Sequence, residues 1–288
     1  MTAVVVLWGV NWPIMKMGLA YLSPLWFAAA RMALGALCLF ALLAMQGRLL
    51  WPGRRELGIL IAVGVFQIGL PTGLIHTGLL SVEAGRSAIL VFTIPLWVAP
   101  MAVLVLGERM GATKLVGLVL GLSGIAVLFN PLTFPFGDRG ALVGNAFMLG
   151  ASLSFAVALV IIRRHPWTVP TIRLMPWQML LGTLILVVAA AAIEGVPRPR
   201  WSPTLYAIMA YNGPIASAFC FWAFVSVSRS LPAMSTALGS LGVPVVGIAS
   251  AAIMLGEGFG VAKIIGLVLI SLGVVAVSAL DLARVRAR

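Results

Sequence analysis

The sequence predicts an all-α membrane protein of ten transmembrane helices, folded as two inverted five-helix repeats around a central cavity. Three observations predict it. Hydrophobic residues make up 62% of the 288 positions and charged residues 9%, against roughly 25% charged in soluble globular chains. Mean hydropathy is +1.13. Seven charge-free runs, among them 57–82, 140–162 and 201–228, reach the roughly 20 residues a helix needs to cross the hydrocarbon layer. Finally, LGERMGATKLVGLVLGLSG at 106–124 returns as LGEGFGVAKIIGLVLISLG at 255–273, an offset of 149 residues with 10 of 19 positions identical.

The helices are expected at 2–20, 24–45, 57–77, 83–106, 112–130, 140–163, 172–193, 203–228, 232–255 and 260–280. Pro24, which suits a helix start, divides the first two. The last is shorter and qualifies if its ends snorkel. A barrel is excluded, because a lipid-facing strand alternates apolar and polar positions and these runs are apolar throughout. A cleaved signal peptide fits poorly, since Asn11, Pro13 and Lys16 interrupt the first run and no basic segment precedes it.

Each repeat holds an odd number of helices, so the second copy enters the membrane from the opposite face. The expected units are residues 1–130, a connection at 131–139, a second repeat at 140–280 and a basic tail at 281–288. Two halves related by a twofold axis in the membrane plane form a recurring plan of secondary transporters, with the solute site between them.

Basic residues set the orientation. With the N-terminus cytoplasmic, twelve Lys and Arg fall on the inner side and five on the outer, which places both termini inside. The net charge of +12 then reads as attraction to anionic lipid rather than to nucleic acid, and no nucleic-acid motif accompanies it. Cys38 and Cys220 lie within predicted spans as small packing residues. No metal-ligand spacing, cofactor motif or catalytic constellation is found, so neither metal nor cofactor is expected. The expected partners are a small-molecule substrate and membrane lipid, and the expected state is a monomer.

Duplication sorts the remaining residues. Features in both copies are expected to be scaffold, and features in one copy to serve recognition. Among the doubled set, Glu108 and Glu257 precede helices 5 and 10 and are expected to cap them. Pro95 and Pro244 interrupt helices 4 and 9, as static kinks or as hinges.

The unpaired set begins in helix 1 with Trp8, Asn11 and Trp12. An amide near mid-membrane must find a partner in another helix, water or a ligand. His76, late in helix 3, either packs, or gates, senses protons or binds a carboxylate. Tyr211, Asn212 and Pro214 interrupt helix 8, as a kink with Pro214 a further hinge candidate, or as an unwound segment exposed to substrate. Trp97, Phe155, Phe219 and Trp222 supply rings that line a cavity or face lipid. Arg31, about two turns inside helix 2, costs on the order of 3 kcal/mol at full depth and is expected to snorkel outward or bind helix-end carbonyls, with a substrate carboxylate as the lesser alternative.

No Asp or Glu lies centrally in a predicted span. A proton-driven cation exporter commonly needs one, and a large polyanion would need several converging basic residues. The expected solute is small and neutral, zwitterionic or moderately hydrophobic.

LWGVNWPIMKMG in helix 1, the arginine of LWFAAARMALGAL in helix 2 and the doubled LGE signature resemble the EamA-type members of the drug/metabolite transporter superfamily. The resemblance implies ten helices, inverted EamA repeats, a bacterial inner-membrane location and solute export by alternating access. Within that superfamily the chain is similar to the aromatic amino-acid exporters. Trp8, Asn11, Lys16 and Arg31 are typical of the family, whereas Phe155 stands where the repeat often has Trp. The implied function is amino-acid export, aromatic amino acids included. The alternative is a broad-specificity drug and metabolite carrier, and a more distant one a channel or structural subunit.

Overall fold

In hydrocarbon every backbone N–H and C=O must be satisfied within the chain, and a segment without strand partners can do this only as a helix. The computed structural model, which describes residues 1–107, 111–129, 138–258 and scattered positions from 261 to 273, contains helices and no strand among those residues. We number its spans in chain order. They are α1 (Thr2–Gly18), α2 (Pro24–Met45), α3 (Leu57–Gly78), α4 (Ala84–Leu106), α5 (Ala112–Phe129), α6 (Arg139–Arg164), α7 (Thr171–Ile193), α8 (Pro203–Ser228) and α9, in two pieces (Ala233–Gly239 and Gly242–Leu255).

Seven of these are long and apolar enough to cross a membrane. The exceptions are α1, with 17 residues, and α5. The expected tenth helix at 260–280 lies largely outside the described residues, which there are helical at 261, 264–266, 268, 269, 272 and 273. Glu108, the connection at 131–137 and the tail at 281–288 also lie outside the described residues. The chain is a multi-pass membrane protein.

The 149-residue offset is visible in the backbone. In α4 the helix breaks at Phe92 and Thr93, and in α9 at Ser240 and Leu241. Pro95 and Pro244 fall in the first turn of the segment that restarts, where the missing N–H breaks no bond. They begin helices rather than kink them. Gly107 and Gly256 close α4 and α9 in the left-handed conformation at φ 64° and 68°, which explains why the repeated LGE keeps its glycine.

Both α3 and α8 contain a π-helical segment, Val63–Gly69 and Asn212–Phe219. Pro214 lies inside the second segment and Pro71 two residues beyond the first, so each has a missing N–H within reach of its carbonyls. The expected break at Tyr211–Pro214 is therefore a widened turn present in both halves. Each segment offers a carbonyl to the other half: Trp8 Nε1 donates to Ala216 O at 2.9 Å, and Ser154 Oγ to Phe66 O at 2.8 Å.

Packing follows the same exchange. The helix α1 lies on the second piece of α9, and α6 lies on the second piece of α4; α2 packs on the π segment of α8, and α7 on that of α3. The helices α2 and α7 pack on one another. Swapping the halves maps this set onto itself, as a twofold relation requires. Small residues permit the approach: a Cβ on Gly144 of α6 would lie 3.1 Å from Gly78 O, and one on Gly78 of α3 would lie 2.9 Å from Gly144 O.

Charged side chains tie helix ends across the halves. Glu257 accepts from the amides of Ala84 and Gly85 at 2.9 and 3.1 Å, and Glu194 from those of Leu25 and Trp26 at 2.8 and 3.2 Å. The expectation that Glu257 caps the helix following it is corrected. It caps α4 of the opposite half, because the amides of that helix start are free and adjacent. Lys16 Nζ donates to the carbonyls of Leu79 and Val82, beyond the end of α3, where a cation meets the negative end of the dipole.

Replacing Gly144 with Val should destabilise the protein by about 2 kcal/mol, since the α3–α6 backbone contact leaves no room for the side chain. Gly58→Val, where an added Cβ meets nothing within 4 Å, should stay within about 0.5 kcal/mol of the parent. Thermal melting of the purified protein in detergent reads both.

Candidate functional site

A cavity lies where the halves meet. It measures about 550 Å³ including the space at its mouth, of which about 50 Å³ admits the centre of a water molecule. That exceeds the roughly 10–15 Å³ needed for one water. Helix periodicity decides what lines it. Trp8, Asn11, Trp12 and Met15 form one stripe of α1, spaced by three and four residues. Phe221 and Phe224 belong to one face of α8. Arg31 and Met32 enter from α2, Thr72, Ile75 and His76 from α3, Phe92 and its neighbours from the break in α4, and Phe155 from α6. Among the described residues no Asp or Glu lines the cavity.

Arg31 is 3% exposed. The expected snorkelling is corrected: the rotation of α2 turns this side chain into the bundle. Its Nε donates to Ser217 Oγ at 3.0 Å, and Nη1 lies 2.8 Å from Met15 Sδ. The Asn11 amide has one orientation that gives every group a partner. In it, Asn11 O accepts from Arg31 Nη1 and Nη2 at 3.2 and 3.3 Å, and its N–H donates to Asn212 Oδ1 at 2.9 Å. Asn212 Nδ2 in turn donates to Ile208 O at 3.0 Å. This network runs α8–α1–α2 and back to α8 through Ser217. Among the described residues every hydrogen-bond partner of the guanidinium is neutral, and a charge buried without a counter-charge is costly.

His76, 0% exposed, is fixed by its own helix, with Nδ1 2.7 Å from Thr72 O and the Phe27 ring centroid 5.2 Å from its own. The indole of Trp8 packs edge-on to Phe221 at 5.3 Å and tilted on Phe224 at 5.2 Å, so three rings form one wall. Edge-on and tilted contacts suit the ring quadrupole and hold the wall in shape.

Of the residues named from sequence, the structure brings Trp8, Asn11, Trp12, His76 and Phe155 to the cavity, and Asn212 one hydrogen bond behind Asn11. Tyr211 is turned to α1, its hydroxyl donating to Leu7 O at 2.8 Å. Trp97, Phe219 and Trp222 do not line it. Phe219 and Trp222 pair with one another at 5.9 Å, and Phe219 is 39% exposed. Pro214 is exposed and outside the lining, and Pro95 and Pro244 are buried at their helix starts. Sequence reasoning missed Phe221 and Phe224, yet the signal was present: Ser217, Phe221 and Phe224 share one stripe, whereas Phe219 and Trp222 share another. Cys220 is buried and Cys38 exposed on the flank of α2.

A helical bundle in lipid, enclosing between two similar halves a cavity with one charge and many rings, is the architecture of a solute carrier. The chain belongs to the EamA-like transporter family, whose model matches residues 1–130 and 142–279. Its members are transporters and not enzymes. The chain is 28% identical over 272 residues to the "Uncharacterized transporter YoaV" of Bacillus subtilis, covering 94% of this chain and 93% of that one. It is 26% identical over 283 residues to the "Probable amino-acid metabolite efflux pump" of Escherichia coli, covering 94% and 90%. A solved crystal structure superposes with a TM-score of 0.74 at 18% identity, covering 96% of this chain and 95% of the other, which shows the fold alone.

Replacing Asn11 with Leu removes an acceptor of Arg31 and a donor to Asn212 without much change in volume. Leaving buried polar groups unmatched should cost about 2 kcal/mol in thermal stability and reduce solute counterflow in proteoliposomes roughly tenfold or more. Cys38→Ala, measured alongside, should leave both unchanged.

Proposed function

We propose that this protein carries small zwitterionic metabolites out of the cell across a bacterial inner membrane, foremost amino acids with apolar or aromatic side chains. The observation that carries the reading is Arg31, a buried cation whose partners are all neutral, set in a cavity lined by aromatic rings. Of the five guanidinium N–H groups, Ser217, Met15 and Asn11 take four, which leaves one Nη2 N–H to donate to a solute. The substrate carboxylate accepts there in a charge-assisted hydrogen bond and supplies the missing counter-charge. Its side chain lies against Trp8, Phe221, Phe224 and Phe155, each ring contact adding about 0.5–1.5 kcal/mol beyond area burial.

Support also comes from the E. coli relative, whose name assigns amino-acid metabolite efflux to that protein. The bacterial relatives suit an inner-membrane location, and the excess of basic residues on one side suits cytoplasmic termini.

Transport proceeds by alternating access between two inverted units, residues 1–130 and 140–280, working as a monomer. The two breaks, at Phe92–Thr93 and Ser240–Leu241, lie in corresponding helices and give each half a place to bend. Among the described residues no carboxylate lines the cavity to trade a proton for solute, and on that ground transport is facilitated efflux down the substrate gradient. The rival reading, broad-specificity efflux, draws on Met15 and Met32, whose flexible side chains adapt to varied shapes.

Counterflow into proteoliposomes preloaded with phenylalanine, leucine, phenethylamine or tetraphenylphosphonium separates these readings. The two amino acids should support counterflow without an imposed pH gradient, and the two organic cations should not. Arg31→Gln should raise the half-saturating phenylalanine concentration roughly tenfold or more. Counterflow of the cations, or strict dependence on a pH gradient, would overturn the proposal.

A further inference from the structure

We propose that His76 Nε2 accepts a hydrogen bond from the substrate's ammonium group, which makes this histidine the residue that distinguishes amino acids from carboxylates lacking the amine. The inference rests on the reading that places the carboxylate at Arg31.

Tautomer logic carries it. The carbonyl oxygen of Thr72 can only accept, so the 2.7 Å contact to His76 Nδ1 requires the proton to sit on Nδ1. A neutral imidazole has one N–H, and it is spent there. Nε2 is left with a lone pair. It is buried and has no hydrogen-bond partner among the described residues. Charging the ring instead would place a second cation in a cavity that already holds Arg31 and, among the described residues, is lined by no carboxylate.

The ring is also preorganised. Thr72 lies one turn earlier on the same helix, and Phe27 packs against the imidazole at 5.2 Å between centroids. The lone pair therefore has a fixed direction, as a specificity contact requires.

Two groups in one cavity then have opposite and exclusive characters. Arg31 only donates, and His76 Nε2 only accepts. A solute with an anionic acceptor and a cationic donor on neighbouring carbons matches both, and an α-amino acid is the smallest common one. A site that bonds a substrate N–H rejects an analogue lacking it, because its own buried group is then left unpaired.

Binding of phenylalanine and of 3-phenylpropionate to the full-length purified protein tests the proposal, using the parent, His76→Leu and His76→Gln. The parent should prefer phenylalanine. His76→Leu should weaken phenylalanine roughly tenfold while leaving 3-phenylpropionate within about twofold, and His76→Gln, which keeps an acceptor oxygen, should recover part of the preference. Equal weakening of both ligands by His76→Leu would assign the residue to packing and overturn the inference. An unchanged preference would overturn it also. A parent protein that binds neither ligand would instead reject the Arg31 reading, and this one with it.

Discussion

Burying a guanidinium obliges its surroundings to supply acceptors where no bulk water reaches, and the central helices are arranged around that obligation. Arg31 takes oxygen from Asn11 on α1 and from Ser217 on α8, with the Met15 sulfur against Nη1. Asn11 meets Arg31 with its oxygen only because its nitrogen has Asn212 to donate to. A change at any of these positions strands the others, so they behave as one group. What they do not supply is negative charge. Among the described residues the guanidinium has no counter-charge beside it.

Duplication explains how such a site arises on a symmetric frame. The offset of 149 sends Asn11 to Val160, Arg31 to Leu180, His76 to Val225 and Asn212 to Val63. Each of these four has an aliphatic counterpart. The frame itself is kept in both halves: the broken helices α4 and α9, the π segments of α3 and α8, and the left-handed glycines 107 and 256. A frame with two equivalent arrangements can exchange them, while an asymmetric solute needs contacts from one half that the other lacks.

Much of this was legible in the chain. Lipid admits few backbone solutions, so the apolar runs gave helix boundaries within about two residues, as in α3, α6 and α8. Asn11 could be placed in the site because an amide at that depth must have a partner. Depth along a helix does not fix its rotation, however, and Arg31 was expected to point outward for that reason. Rotation also separates Phe221 from Trp222, adjacent in sequence and on different faces of α8. Glu257 shows the other limit. A carboxylate near a helix start suggests a cap, but which helix start lies nearest is decided by the packing of the two halves.

The central claim is that Arg31 binds the substrate through a full negative charge. Displacement of radiolabelled phenylalanine from the purified protein by unlabelled phenylalanine and by phenylalaninamide tests it most directly, because the amide keeps the ring and the amine and loses only the charge. The account predicts that phenylalaninamide competes at least roughly tenfold more weakly. Equal competition by the two would contradict it.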